Sequence, residues 1–383
     1  MRLRSSLISE APSLWGRAGG EASYTMSLAY IILTLIILLL GALPLGLCWG
    51  LAWLLRSKPL LALGLKWTGG ILSVGVAIIF IIGFLYGWRN IHVTRYYFMH
   101  SDVPEAFDGY KIVQLSDLHI GTLHGHETTV RAIVDSVNAL EPDLIVFTGD
   151  LVNMHSDEER EFHDILRGLH AKDGIVSVMG NHDYMMYAYR GKDSKAQLAD
   201  IHALQDAERD LGWHLLLNDN YIIRRGEASS LAIIGVENDG DGKHFPQYGD
   251  LTKAQHDLPE GIFKILLSHD PTHWKRRVLT ETDIPLTLSG HTHAMQFQIG
   301  PWSPSRWAYP EWRGEYVVTP AEGAPSPWGR AGGEASAHDG TTSASQQRST
   351  HRTLFVSSGI GEVGVPFRFG AWPEIVLITL RSN

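Results

Sequence analysis

Cysteine is almost missing from this 383-residue chain, and the single Cys48 excludes a disulfide framework and every CxxC-type zinc or redox site. Acidic residues are scarce at the front, where residues 1–100 hold 8 Lys/Arg and 2 Asp/Glu. Behind them, 39 Asp/Glu outnumber 24 Lys/Arg. That acidic remainder is a poor electrostatic match for nucleic acid, and no nucleic-acid partner is expected. Charge of either sign vanishes between Glu21 and Arg56 and again from Trp67 to Trp88.

Each uncharged run exceeds the about 20 apolar residues that cross a hydrocarbon core. The first is too long for a signal-peptide core and has no small-residue cleavage site. Two transmembrane helices are therefore expected within residues 27–90, joined by a basic hinge with Arg56, Lys58 and Lys66. An even number of spans leaves everything after Arg89 on the same side as the N-terminus. The Lys/Arg count does not settle that side. A multi-pass protein of the inner membrane with its chemistry facing the cytoplasm is the working expectation.

Ala11–Ser23 (APSLWGRAGGEAS) recurs at Ala324–Ser336 (APSPWGRAGGEAS) with 12 of 13 positions identical. The pair is too short for a repeat architecture and reads as a translated repetitive element. Residues 1–25 are accordingly expected to be a disordered or non-native extension, with Met26 as a candidate start. Residues 324–352 are expected to be a disordered insertion in a surface loop.

From Lys111 the chain alternates β-rich runs with amphipathic stretches. KIVQLS reaches Asp117, a helical pattern covers about Glu127–Leu140, DLIVFTG reaches Asp150, a second covers about Asp157–Leu169, and GIVSVMG reaches Asn181. WHLLL, YIIRR, LAIIGV, FKILLSH, PLTLSGH, TLFVSSG and EIVLITL follow. Many strands with fewer helices indicate an α/β or αββα layered sandwich. The strands run straight into Asp117 and His119, Asp150, Asn181 and His182, His269, and His291 and His293. Open α/β sheets place their sites just beyond such strand ends. Residues two apart in an extended segment face the same way, and Gly stands directly before the ligand in three of the five motifs.

Four His, two Asp and one Asn offer nitrogen and hard oxygen together, which suits Mn, Fe or Zn better than Ca or an oxygen-bound Mg. Seven ligands are too many for one catalytic ion that keeps a position open. Two divalent ions sharing one carboxylate use them all.

The ordered series SDLH, TGD, GNHD, LSHD and SGHTH resembles the calcineurin-like metallophosphoesterase superfamily over Phe107–Leu380. TRYYF, FDGYKIVQLSDLHIG, GHTHAMQF and SSGIGEVGVPFRFG with PEIVLITL resemble its membrane-associated branch. The resemblance implies a four-layer αββα sandwich over residues 107–382, preceded by the two transmembrane helices. It implies one metal held by Asp117, His119, Asp150 and His293, and another by Asp150, Asn181, His269 and His291, with Asp150 as the bridge. His182 matches the family's proton donor to the leaving oxygen. Many members have an Asp three residues after the bridging Asp to orient that His; here the position is Asn153, an acceptor without charge. Asp183 and Asp270 are candidate partners of the ligands.

The implied reaction is attack of water on a phosphomonoester, phosphodiester or pyrophosphate without a covalent intermediate. Members of the branch include phosphodiesterases and an enzyme that splits UDP-2,3-diacylglucosamine in lipid A synthesis. A lipid-linked phosphate ester at a bilayer is thus the expected substrate. Trp302, Trp307, Tyr309 and Trp312 are a candidate interfacial rim, and Arg190, Lys192, Arg276 and Arg277 are candidate phosphate contacts. A tethered phosphodiesterase for nucleotides or envelope polymers, and an inactive membrane scaffold, are the alternatives. The sequence assigns no oligomeric state.

Overall fold

In the computed structural model the described residues are 15–189, 194–227, 229–242, 245–319 and 351–382. They divide into two units, one ending at Ile81 and the other starting at Ile82. In the first, helix α1 (Trp15–Leu54) is followed by α2 (Pro59–Leu85). Both are long and apolar enough to cross a membrane, and the apolar side chains of residues 34–54 and of α2 are largely exposed. The two approach closely at Gly69, where a Cβ would stand 2.7 Å from Cys48 Cβ. Residues 15–25, expected to lack structure, are helical: adding turns to an existing helix avoids the cost of nucleation. Residues 1–14 of the expected extension lie outside the described residues, and so does the expected insertion apart from its last two positions.

The second unit holds two six-stranded sheets. In chain order the strands are β1 (His92–His100), β2 (Lys111–Leu115), β3 (Leu144–Phe147), β4 (Ile175–Ser177), β5 (His214–Leu215) and β6 (Asp219–Arg225). They continue with β7 (Ser229–Gly235), β8 (Phe263–Leu267), β9 (Leu286–Ser289), β10 (Gly314–Val318), β11 (Arg352–Val356) and β12 (Glu374–Ser382). One sheet has the order β1-β12-β2-β3-β4-β5 and the other β10-β11-β9-β8-β7-β6. β2 to β5 run parallel in the first, as do β7, β8, β9 and β11 in the second.

Strand alternation builds the layers. Leu144 and Val146 of β3 meet Ile265 and Leu267 of β8 in the core between the sheets. Ile145 and Phe147 face the other way, onto helices α3 (Glu127–Asn138), α4 (His163–Leu166) and α5 (Lys195–Asp210). Leu266 faces a third cluster with Trp274 and Val278. The result is the mixed α/β, four-layer arrangement expected from the sequence.

The catalytic unit reaches further toward the N-terminus than residue 107. β1 pairs in parallel with β12 from His92↔Glu374 to His100↔Ser382, as a sheet edge. Its HVTRYYFMH text is half polar because one face of an edge strand meets solvent, so it lacks the apolar run of a central strand. β10 escapes sequence reading for the same reason: Glu315 and Val317 are exposed and Tyr316 is buried.

Candidate metal centre

The parallel strands deliver every expected ligand to one end of the sandwich. Asp117 follows β2 by two residues, Asp150 follows β3 by three and Asn181 follows β4 by four; His269 and His291 each follow β8 and β9 by two. The chain turns sharply there. Asp117, His119, Asp150, His291 and His293 all have positive φ, between 43° and 74°, a region that costs a non-Gly residue energy. Five of the seven expected donors carry that strain, which the surrounding structure must hold in place.

The glycines before the ligands work in two ways. Gly149 has φ 96°, a turn that only glycine makes readily. Gly180 and Gly290 are there for space: a Cβ on Gly180 would lie 2.2 Å from Asp150 Oδ1, and one on Gly290 would lie 2.2 Å from Asp117 Oδ2.

Donor atoms crowd at two corners. In one, His293 Nε2 is 3.0 Å from His119 Nε2 and 3.2 Å from Asp117 Oδ1. In the other, His269 Nε2 is 3.2 Å from Asp150 Oδ2, 3.2 Å from Asn181 Oδ1 and 3.2 Å from His291 Nδ1. Asp150 Oδ2 also stands 3.5 Å from His119 Nε2, so this carboxylate touches both corners. Two pairs of imidazole nitrogens facing each other beside buried carboxylates is an arrangement that divalent cations satisfy and that neutral rings alone do not. The donors therefore fit metal.

Electrostatics follow from burial. Burial drives His119 well below its ordinary pKa and lowers His291 as well. At His269 burial works in the same direction, but the Asp150 carboxylate outweighs it and raises the ring to about 10. Asp150 is itself disfavoured as an anion by burial, yet His269 and His182 hold it well below the usual carboxylate range. Neighbouring positive charge is what this pocket calls for.

The surrounding hydrogen bonds fix which ring nitrogens face inward. His269 Nδ1 donates to the Thr148 carbonyl at 2.7 Å, leaving Nε2 as the nitrogen that faces inward. Asn181 Nδ2 donates to the Tyr187 hydroxyl at 3.0 Å, which turns Oδ1 toward His269. His291 Nε2 is 2.8 Å from the Tyr309 hydroxyl. Asp270 Oδ1 is taken by Thr272 N and Oγ1, while Oδ2 lies 3.6 Å from His291 Nε2.

His182 lines a cavity of about 320 Å³ together with Asp150, Asn181, Tyr187 and Tyr309. Its Nδ1 donates to Asn153 at 2.7 Å, but to the main-chain oxygen. The Asn153 side chain faces away, its Oδ1 accepting from Thr122 N and its Nδ2 donating to Thr122 Oγ1. The expectation that the Asn153 amide orients the ring is corrected: position 153 orients His182 through its backbone carbonyl, while the side chain bonds to Thr122. Glu158 holds that loop by accepting from Asn153 N at 2.6 Å and Met154 N at 3.0 Å.

Asp183 partners the ligand loops through their backbone rather than the ligand side chains. Its Oδ2 accepts from Asp150 N at 2.7 Å and Gly180 N at 2.8 Å, and its Oδ1 from Leu151 N at 2.8 Å and Val152 N at 3.3 Å. Trp312 is buried, so it forms no part of a rim, and Tyr309 turns inward to His291; of the four aromatics only Trp307 is strongly exposed. Arg276 is paired with Asp239, and Arg277 with Asp239 and Glu281, so both candidate phosphate contacts are engaged by carboxylates. Arg190 and Lys192 lie outside the described residues.

One neighbour of the site lies in the SSGIGEVGVPFRFG motif but is not among the expected site residues. Arg368 is fully buried, donates to the carbonyls of Ser358 and Ala371 and places Nη2 3.1 Å from His293 Nδ1. It lies 75 residues beyond His293, so the motif that contains it does not show which ligand it touches.

The fold and this cluster define a metal-dependent phosphoesterase. The calcineurin-like phosphoesterase family model matches residues 110–295. Metallophosphoesterase YkuE of Bacillus subtilis is 30% identical over 300 residues, covering 76% of this chain and 86% of that protein. The transmembrane protein with metallophosphoesterase domain of Danio rerio is 27% identical over 285 residues, covering 73% of this chain and 55% of its own length. The like-named protein of Bos taurus is 29% identical over 73% of this chain, again with 55% of its own length covered. The chain thus spans about half of those two transmembrane relatives. Among solved structures, the protein TT1561 of Thermus thermophilus aligns at 17% identity and a TM-score of 0.31, over 48% of this chain and 82% of that one. This chain belongs to the calcineurin-like metallophosphoesterase family and is a phosphoric ester hydrolase.

Proposed function

We propose that the protein is a membrane-anchored, dinuclear phosphoesterase that hydrolyses a phosphodiester or pyrophosphate carried by a lipid, with UDP-2,3-diacylglucosamine the first candidate substrate. Asp117, His119, Asp150 and His293 would hold one divalent ion, and Asp150, Asn181, His269 and His291 the other. The observation that carries this reading is the pair of donor corners sharing Asp150, with His182 beside them in the cavity lining. Bound ions of the Mn, Fe or Zn type would polarise phosphoryl oxygens and lower the pKa of water.

The chain's own residues supply the rest. His182 gives a proton from Nε2 to the leaving oxygen, because Nδ1–H is committed to the Asn153 carbonyl and only Nε2 is free to change state. Tyr187 packs on the His182 ring at 4.3 Å between centroids and restricts its rotation. Two helices of membrane-spanning length support the anchor, and the transmembrane relatives named above agree with it.

The test is hydrolysis by detergent-purified full-length protein with Mn²⁺, offered UDP-2,3-diacylglucosamine or bis-p-nitrophenyl phosphate, beside Asp150→Asn. Release of UMP from the lipid alone supports this substrate and a cytoplasmic catalytic face. Cleavage of the generic diester alone keeps the reaction and turns the substrate toward nucleotides or envelope polymers. Activity in Asp150→Asn equal to the parent would reject the bridging role.

A further inference from the structure

The last turn of α2 is built into the catalytic unit. Gly83 O accepts from Arg368 N at 3.2 Å, and Phe84 packs on Phe367 with ring centroids 5.0 Å apart. Gly87 lies so close to the Arg368 carbonyl that a Cβ would stand 1.7 Å from it. The Phe367–Phe369 segment in turn pairs with the chain beside the cavity. Gln296 Nε2 donates to Phe367 O at 3.1 Å, Phe369 N donates to Gln296 O at 3.0 Å and Gln298 N donates to Phe369 O at 2.7 Å. Met295, Gln296 and Val363 line the cavity. One wall of the cavity is therefore joined to the helix end through the Phe367–Phe369 segment.

That neighbourhood exposes apolar side chains: Met295, Ile299, Val363, and Trp307 at 77%. Trp307 rests edge-on against Trp302, and Trp302 against Phe297, so the indole is connected to the same segment. Exposed Arg306 precedes it, and exposed Arg89 closes the uncharged run of α2. Apolar and aromatic residues flanked by arginines are the composition of a membrane–water boundary.

We propose that the surface formed by Met295, Ile299, Trp307 and Val363 lies in the headgroup layer of the bilayer, and that the metal cavity takes its substrate sideways from that layer, as an amphiphile bearing a phosphodiester or pyrophosphate. This rests on the reading that α2 spans the membrane. Its uncharged stretch ends at Trp88, which puts residues 82–89 at the boundary of the hydrocarbon core, and the loops packed on them share that depth.

The experiment uses the full chain with Cys48→Ser in vesicles containing brominated phospholipid, with single cysteines carrying an environment-sensitive fluorophore. Trp307→Cys and Ile299→Cys should be quenched, and Leu198→Cys, exposed on α5, should not. A label at Ile78→Cys reads the anchor itself. Quenching at Ile78 without quenching at Trp307 overturns the surface assignment and leaves the anchor standing, whereas no quenching at Ile78 overturns the anchor. Trp307→Ser with Ile299→Ser should raise KM several-fold for a vesicle-borne diester and leave bis-p-nitrophenyl phosphate unchanged. An equal effect on both substrates contradicts lateral entry.

Discussion

Replacing Asp183 separates two opposing forces at the metal centre. Burial and then the charge of Asp150 push this carboxyl up to about 7, so removing its charge relieves repulsion. Against that, its two oxygens accept four backbone N–H groups from the loops that carry Asp150 and Asn181, three of them at 2.8 Å or less. In Asp183→Asn the amide oxygen can serve one pair of donors, while its NH2 confronts the other pair. Two buried N–H groups left without an acceptor cost about 2–6 kcal/mol. For a domain of this size that corresponds to a fall in Tm of roughly 5–20 °C. The hydrogen-bond loss is therefore expected to win. Thermal unfolding in detergent, with metal content measured by mass spectrometry, should show a lower Tm and fewer bound ions for Asn, and a larger loss for Ala. A Tm equal to or above that of the parent, with metal content unchanged, would refute the argument and make charge relief the dominant effect.

Other outcomes follow from the same geometry. His182→Ala should retain both metals and lose turnover by about 10²–10⁴-fold, the usual scale for a positioned acid; full turnover would remove the proton-donor role. Val318 and Arg352 are register partners on antiparallel β10 and β11, so replacing residues 320–350 with a short turn should leave activity near that of the parent; loss of folding would show that the segment is needed. Glu374 accepts from Arg313, Thr94 and Ser358, and although burial raises its pKa, Arg313 brings it down to about 2. A carboxyl lowered in the folded state contributes stability above its ordinary value, and that contribution fades as pH falls toward the folded value. Glu374→Gln should therefore lower Tm at neutral pH, by a gap that narrows between about pH 5 and pH 2; a gap constant with pH would exclude the ion pair as its source.

The ligand motifs were legible because each donor follows its strand by only two to four residues, so local pattern and tertiary position coincide. The role of residue 153 was not, since the chemistry resides in a carbonyl that every residue carries. Arg276 and Arg277 read as free cations until Asp239 arrived from another loop. Gly180 and Gly290 suggested tight turns, but what they provide is room for side chains from neighbouring strands, a requirement visible only when those strands are side by side.

What the sequence determined by itself was the reaction class, the donor set, the apolar helices and the central strands, all encoded over a few consecutive residues by periodicity and by the order of motifs. Tertiary structure alone decided that Asp150 touches both donor corners, that Arg368 supports His293, and that the end of α2 packs on the segment that pairs with one cavity wall. Those relations join residues as distant in the chain as Gly83 and Arg368. Their physical basis is the packing of two sheets and their loops, and no local pattern of side chains records it.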